Sequence, residues 1–193
     1  MVKPVAGVLA LQGSSEPHLD RLRELGVEAR EVRCPEALEG LTHLILPGGE
    51  STTFHHLMEL FGVRDAIAAH HRRGMALFGT CAGAILLGRD EGIRPPRFGL
   101  LDASFARNAY GRQIDSFTAE VPLASFGDPA FSCVFIRAPR IIETGPEVEI
   151  LGRHGAEPIL VRSGNVLAAT FHPELTPDLR IHRYFVEELG PAK

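Results

Sequence analysis

The chain has 193 residues, of which 45% are hydrophobic and 23% are charged, and its formal net charge at pH 7 is −4. A chain of this length can bury one substantial core, so we expect a single domain over residues 1–193. The small net charge and the scattered arginines give no indication of nucleic-acid binding. No apolar stretch approaches the length of about 18 residues that a membrane span needs.

Cysteine usage and the first residues of the chain both bear on its location. The three cysteines, Cys34, Cys81 and Cys133, do not suggest a disulfide framework. The apolar run that starts at Val5 is typical of a first strand and not of a signal peptide. We therefore expect a cytoplasmic protein.

Strand and helix patterns alternate through the first half of the chain. The sequence predicts strands over residues 5–11, 27–32, 43–46 and 75–78, and helices over residues 16–25, 52–60, 64–73 and 82–87. This alternation predicts an α/β fold with a doubly wound, mostly parallel sheet flanked by helices. In such a fold, the functional site lies at the carboxyl ends of the strands.

The second half of the chain is richer in short strands. They are predicted over residues 116–121, 133–136, 148–151, 158–161 and 166–169, and a closing helix over residues 178–189. We expect several of these strands to form extra antiparallel pairs at one side of the core sheet. The run Arg-Pro-Pro-Arg at residues 94–97 is typical of a loop.

Residues 78–83 read Phe-Gly-Thr-Cys-Ala-Gly, which is the cysteine form of a nucleophile elbow between a strand and a helix. Gly79 and Gly83 remove Cβ atoms where the turn is tightest. The thiol of Cys81 would then lie at a helix N-terminus, where the helix dipole favours the thiolate. The alternative is a buried core cysteine beside an ordinary glycine turn.

The segment His172-Pro173-Glu174 supplies a candidate base and its orienting acceptor, which a cysteine nucleophile needs. In an extended segment, His172 and Glu174 would point to the same side, and Pro173 biases His172 towards that geometry. The alternative is a strand end that runs into a turn. Together with Cys81, these residues form a predicted Cys-His-Glu triad.

The run Leu-Ile-Leu-Pro-Gly-Gly-Glu-Ser-Thr at residues 44–52 predicts an apolar strand, a Gly-Gly loop and a Ser/Thr helix start. In an acyl-transfer enzyme, the N–H group of Gly49 and that of Ala82, after the nucleophile, would form an oxyanion hole. The alternatives are a simple strand-to-helix turn and a weak phosphate cradle. The Gly-Lys-Ser/Thr ending of a P-loop is missing.

Two histidine doublets, at residues 55–56 and 70–71, raise the question of a metal site. Neighbouring residues on a helix point about 100° apart, so neither doublet forms a chelating pair. We therefore expect no metal. Cys34, which precedes a proline, and Cys133, in a β-rich run, have no base motif beside them, and we expect both to be structural.

The motifs at residues 47–52, 79–83 and 172–174 resemble those of the class I (triad) glutamine amidotransferases. Five further stretches are similar to the glutaminase subunits of pyridoxal 5′-phosphate synthase; they lie at residues 7–13, 107–113, 115–117, 135–139 and 171–176. The run Arg-Asn-Ala-Tyr-Gly-Arg-Gln at residues 107–113 is the most specific of them. The resemblance extends from about Val5 to Phe185 and implies a flavodoxin-like fold.

The resemblance implies hydrolysis of L-glutamine to L-glutamate and ammonia, with Cys81 as nucleophile, His172 as acid and base, and Glu174 orienting His172. No cofactor and no metal is implied. The residues that it implies for glutamine binding are Gly49, Glu50, Ser51, Arg107, Ile136 and Arg137.

The resemblance also implies a partner that uses the ammonia. This would be a (β/α)₈-barrel synthase subunit that makes pyridoxal 5′-phosphate, within a large ring-shaped hetero-oligomer. The Leu11-Gln12-Gly13 turn and the helix after it would lie near the interface. Pro17 stands where the family typically has Glu, and a proline in the first helical turn is compatible with an intact helix.

Two other interpretations remain open from the sequence. One is another hydrolase with a cysteine elbow, such as a peptidase or a γ-glutamyl hydrolase. The other is a catalytically silent binding subunit. The stretches at residues 107–113 and 135–139 argue against the first, and the intact triad argues against the second.

Overall fold

The structure is a computed structural model that describes residues 3–92, 96–107 and 116–190. Its helices are α1 (Glu16–Glu24), α2 (Ser51–Leu60), α3 (Val63–Arg72), α4 (Ala82–Leu87) and α5 (Arg180–Glu188). Its strands are β1 (Val5–Leu9), β2 (Glu28–Val32), β3 (His43–Leu46), β4 (Ala76–Thr80), β5 (Ala103–Ala106), β6 (Ser116–Val121), β7 (Phe131–Ile136), β8 (Arg140–Thr144), β9 (Glu149–His154), β10 (Glu157–Ser163) and β11 (Val166–Ala169). Within these ranges, no helix is both long enough and apolar enough to cross a membrane.

A seven-stranded sheet forms the centre, in the order β2-β1-β3-β4-β11-β10-β9. The five strands from β2 to β11 pair in parallel, whereas β10 pairs antiparallel with both β11 and β9. Two smaller antiparallel pairs, β5 with β8 and β6 with β7, complete the described strands. The predicted doubly wound, mostly parallel sheet with antiparallel strands from the second half is confirmed.

The apolar side chains of the central strands divide between two cores, one on each face of the sheet. Ile45 and Phe78 point to the face covered by α1 and α5. Leu44 and Leu77 point to the face covered by α2, α3 and α4. Strands β3 and β4 are therefore buried on both faces, which explains why they are continuous apolar runs instead of alternating ones.

Several predicted boundaries were wrong, and two strands were missed. The first strand ends at Leu9 instead of residue 11, and the closing helix begins at Arg180 instead of residue 178. The strand before the elbow continues to Thr80, because its last residues still pair with β11. Strands β5 and β8 pair with each other although they are far apart in sequence, and neither shows a local alternation of apolar and polar residues that predicts a strand. Of the predicted loop at residues 94–97, the first two lie outside the described residues.

Candidate active site

Cys81 occupies a sharp turn between β4 and α4 at the carboxyl end of the parallel sheet. Its backbone has a φ of 50° and a ψ of −106°, a conformation that non-glycine residues rarely adopt. The flanking glycines are required by space: a Cβ on Gly83 would lie 1.9 Å from the carbonyl oxygen of Leu46. A Cβ on Gly79 would lie 2.6 Å from the backbone of Gly83. The chain therefore places a strained cysteine at an elbow.

His172 and Glu174 meet at the end of the segment that follows β11. His172 Nδ1 lies 2.7 Å from Glu174 Oε1, and the carboxylate is 3% exposed. The predicted extended geometry was wrong, since residues Pro173–Leu175 form a single 3₁₀ turn. The Leu175 N–H donates to the carbonyl of His172, and this turn folds the carboxylate back beneath the imidazole.

The remaining ring nitrogen of His172, Nε2, is available to Cys81, because Nδ1 is occupied by Glu174. Burial lowers the pKa of His172, but the hydrogen bonds and charges of Cys81 and Glu174 outweigh it and raise the pKa to about 10. Burial raises the pKa of Glu174, and the adjacent imidazoles of His18 and His172 outweigh that effect and hold the pKa at about 2. At neutral pH this is an imidazolium held by a carboxylate.

The raised pKa of His172 has a consequence for stability. A group whose pKa is higher in the folded chain than its ordinary value of 6.5 stabilises the fold below pH 6.5 and loses that contribution as the pH rises through 10. We expect the difference in unfolding free energy between wild type and His172→Gln to shrink as the pH rises across this window. Urea denaturation of both proteins at several pH values measures this difference in unfolding free energy. A difference that stays constant with pH would contradict a raised pKa for His172.

The Gly-Gly loop lies directly beside the predicted triad. Gly49 has a φ of 155°, and a Cβ there would lie 2.5 Å from Gln12 Nε2 and 2.9 Å from Phe54 Cε2. A Cβ on Gly48 would lie 2.4 Å from His172 Cε1. Both positions therefore need glycine for close approach, and Gln12 fastens the loop by donating to the Glu50 carbonyl at 3.0 Å.

Glu50 has two roles in the geometry of this loop. Its carboxylate caps α2 by accepting from the N–H groups of Thr52 at 3.1 Å and Thr53 at 2.7 Å. The predicted Ser/Thr helix start was therefore wrong by one residue, because Ser51 is already helical. Burial raises the pKa of Glu50, but the hydrogen bonds from Thr52 and Thr53 outweigh it and lower the pKa to about 2. The same carboxylate lies 2.7 Å from Arg107 Nη2.

A cavity of about 410 Å³ opens in front of Cys81. Its walls include every residue that the sequence predicted for substrate binding or the oxyanion hole, the predicted nucleophile and base, and two others: Gly49, Glu50, Ser51, Cys81, Ala82, Ile85, Arg107, Ile136, Arg137, Pro139 and His172. Glu174 is not a wall residue and lies behind His172. The carbonyl oxygen of Ile136 is 3.8 Å from Cys81 Sγ, and Arg137 has a φ of 44°. The rest of the Arg107–Gln113 motif, and Asp115, lies outside the described residues.

Sequence reasoning missed several residues that contact this site. Gln12 carried a motif but no role at the site, and Ile85 and Pro139 were not proposed as wall residues. Behind Glu174, His18, Thr80 and His182 were also unassigned, although all three are buried polar residues. A histidine on the apolar stripe of an amphipathic helix, as at position 18, was the available signal.

A doubly wound sheet, a cysteine elbow and an adjacent histidine–carboxylate pair are the features expected of a class I glutamine amidotransferase. The chain belongs to the SNO glutamine amidotransferase family, whose family model matches residues 8–190. This confirms the resemblance seen in the sequence motifs.

Relatives and solved structures agree with that membership. The chain is 50% identical to a pyridoxal 5′-phosphate synthase subunit PdxT of Thermus thermophilus, over 98% of this chain and 100% of that protein. It is 48% identical to the PdxT subunit of a Thermotoga species, over 94% and 97% of the two chains. A crystal structure of a glutamine amidotransferase matches with a TM-score of 0.89 and 50% identity, over 95% of this chain and 97% of that one.

Proposed function

We propose that this chain is a single glutaminase domain that hydrolyses L-glutamine to L-glutamate and ammonia for a pyridoxal 5′-phosphate synthase. The observation that carries the proposal is the strained Cys81 beside the His172–Glu174 pair, on the wall of a cavity large enough for one amino acid. The family description supports the use of glutamine, and the names of relatives at about half identity support the pathway.

The first chemical step is attack of the Cys81 thiolate on the carboxamide carbon of glutamine. Protonated His172 stabilises that thiolate across the Cys81–His172 contact. The N–H groups of Gly49 and Ala82 hold the oxyanion that forms on the amide oxygen. His172 then gives its proton to the departing nitrogen, the C–N bond breaks, and ammonia leaves behind a thioester on Cys81.

The second step returns the enzyme to its starting state. Neutral His172 takes a proton from water, and the resulting hydroxide attacks the thioester carbon. The C–S bond breaks, which releases glutamate and restores the thiolate beside the imidazolium. Glu174 accepts from Nδ1 throughout, so that Nε2 is the nitrogen that exchanges protons with Cys81, ammonia and water.

Two opposite charges at the rim of the cavity suit the two ends of free glutamine. Arg107 is positioned to bind the α-carboxylate, and Glu50 to bind the α-ammonium group. Arg107 Nη2 lies 2.7 Å from Glu50 Oε1, so the two groups form an ion pair with each other. Binding of the zwitterion would replace that pair with two new ion pairs, while Ser51, Ile136 and Arg137 contact the rest of the substrate.

The ammonia acceptor that we propose is a (β/α)₈-barrel synthase subunit, assembled with this chain in a ring-shaped hetero-oligomer. The family resemblance supports this architecture, and the relatives are named as subunits of a pyridoxal 5′-phosphate synthase. The docking face would include the Leu11-Gln12-Gly13 turn and α1. Helix α1 begins at Glu16 with Pro17 in its first turn, so the substitution at this position leaves the helix intact.

The test is release of glutamate from glutamine, measured for the chain alone and with the synthase subunit from the same source. We expect activity that depends on the synthase subunit and is lost in Cys81→Ala. An inactive mixture whose synthase subunit still works with ammonium salts would contradict the proposal. Cleavage of peptides or γ-glutamyl chains instead of glutamine would identify a different cysteine hydrolase.

The oxyanion role of Gly49 predicts a large effect from a small substitution. We expect Gly49→Ala to lower kcat for glutamine by about 100-fold, the cost of misplacing one oxyanion donor. The added Cβ would displace the loop from Gln12 and Phe54. Gly155→Ala is the matched control, because Gly155 also has a positive φ, of 60°, but has nothing within 4 Å of its Cβ position. Equal kcat values in the two variants would argue against an oxyanion hole at Gly49.

A further inference from the structure

Behind the predicted triad, a series of buried polar side chains joins helices α1 and α5, the 3₁₀ turn at Glu174 and the central sheet. His18 on α1 is fully buried, and its Nε2 lies 3.4 Å from Glu174 Oε2 and 3.2 Å from Thr80 Oγ1. Its other nitrogen, Nδ1, lies 3.0 Å from Nε2 of His182, which is also fully buried on α5. None of His18, Thr80 and His182 is a wall residue of the substrate cavity.

The charge of Glu174 determines which nitrogen of each buried histidine carries the proton. An ionised carboxylate only accepts, so we assign the proton of His18 to Nε2, which lies 3.4 Å from Glu174 Oε2 and 3.2 Å from Thr80 Oγ1. Nδ1 of His18 then has a lone pair, and it accepts from Nε2–H of His182. The opposite tautomers would point a lone pair at the carboxylate and leave an N–H on His182 Nδ1, which has no hydrogen-bond partner among the described residues.

Both histidines must be neutral for this arrangement. Burial lowers the pKa of His18, and the nearby carboxylate only partly offsets it. Burial also lowers the pKa of His182, and the positive charge of Arg21 acts in the same direction. The ionised groups facing the pair are then Glu174, His172 and Arg21.

We propose that His18, itself oriented by His182, is a positioning residue that holds the carboxylate of Glu174 in the rotamer that aligns His172 with Cys81. This inference rests on the proposed glutaminase function. Glu174 Oε1 is held by His172, whereas Oε2 has no hydrogen-bond partner among the described residues and its nearest ionisable contact is His18 Nε2. Without the His18 contact, only His172 at Oε1 and the backbone N–H of Glu174 would hold the carboxylate.

Three substitutions of His18 separate positioning from packing. His18→Leu removes the N–H, His18→Gln returns an amide N–H at the reach of Nε2, and His18→Asn returns one only at the reach of Nδ1. In the complex with the synthase subunit, we expect His18→Leu and His18→Asn to lose about 10- to 100-fold in kcat, the cost of misaligned catalytic groups. The KM for glutamine should stay within about twofold, and His18→Gln should retain most of kcat.

A matched control tests whether any buried histidine would give the same loss. His43 is 3% exposed and contacts Thr42 and the Leu189 carbonyl, away from the triad. His43→Leu should reduce thermal stability as His18→Leu does, with kcat unchanged. Should His18→Leu fail to fold, the comparison of His18→Gln with His18→Asn carries the test alone, since both keep a polar amide.

A double-mutant cycle asks whether His18 acts through Glu174. In a Glu174→Gln background, we expect His18→Leu to cost less than about threefold in kcat, because the group that it positions is already lost. An undiminished loss in that background would overturn the inference. So would a kcat for His18→Leu within about twofold of wild type, or equal losses in His18→Gln and His18→Asn.

A second readout needs no turnover and so remains valid if the proposed function fails. In a Cys34→Ser background, which removes the exposed thiol, iodoacetamide at pH 7 reports the reactivity of Cys81. We expect His18→Leu to slow this alkylation about fivefold, because a misaligned His172 supports less thiolate. A wild-type complex that forms no glutamate would contradict the glutaminase proposal, whereas an unchanged alkylation rate would contradict the positioning role.

Discussion

Cys81→Ala should abolish glutamine hydrolysis by the complex while leaving synthesis from ammonium salts intact. Loss of the attacking sulfur removes the covalent route, and we expect kcat for glutamine to fall by about 10⁴-fold or more. The substitution removes one buried atom at the elbow and leaves both flanking glycines in place, so the fold and the docking face should persist. The measurement is glutamate release with the synthase subunit present, beside synthase activity with ammonium as the nitrogen source.

The matched control for this prediction is Cys34→Ala. Cys34 is exposed and lies before the 3₁₀ helix Pro35–Leu38, and it is not a wall residue of the cavity. We expect its removal to leave glutamate release unchanged. Residual hydrolysis in Cys81→Ala above about one hundredth of the wild-type rate would show that another group attacks the amide.

Glu174→Gln should give the second large loss, with a different kinetic signature. A glutamine side chain can present its N–H₂ to Nδ1 of His172, which would trap the tautomer whose Nε2 carries the proton and cannot act as a base. By analogy with the aspartate of serine protease triads, we expect kcat to fall by about 10³- to 10⁴-fold. Because Glu174 is not a wall residue, the KM for glutamine should change little.

An exposed carboxylate provides the comparison for Glu174→Gln. Glu28 lies on the outer strand β2, and Glu28→Gln makes the same chemical change at the surface. We expect wild-type kinetics from it. A kcat within about tenfold of wild type for Glu174→Gln would mean that His172 works without an orienting carboxylate. A rise in the KM for glutamine as large as the fall in kcat would indicate that Glu174 has a role in substrate binding.

The fold class and the elbow were predictable because their signals are local. The parallel strands β1, β3, β4 and β11 are predominantly apolar runs, and the glycines around Cys81 stand within two residues of it. A Cβ atom at those glycines is excluded by the backbone near the turn, so the pattern Gly-x-Cys-x-Gly was sufficient to predict the elbow. The pairing of β5 with β8 was not predictable in this way, because it joins segments more than thirty residues apart.

The candidate triad shows where local reasoning reached the right pair for the wrong reason. An extended strand would have placed His172 and Glu174 on one face, but the chain turns into a 3₁₀ helix there. The two side chains still meet at 2.7 Å, because the turn brings the carboxylate under the ring. Two residues so close in sequence can make contact in either backbone geometry. The predicted contact between His172 and Glu174 therefore forms, although the predicted backbone conformation was wrong.

By itself, the sequence determined the family and the Gly-Gly loop and predicted the candidate nucleophile and base, since each rests on contiguous residues whose spacing has few alternatives. Only the tertiary structure decided which distant groups complete the site. Arg107 reaches Glu50 across 57 positions, and His18 reaches His182 across 164. These contacts form because the sheet brings the carboxyl ends of its strands and the flanking helices together. The order of residues in the sequence does not show which buried polar groups will then form hydrogen bonds with one another.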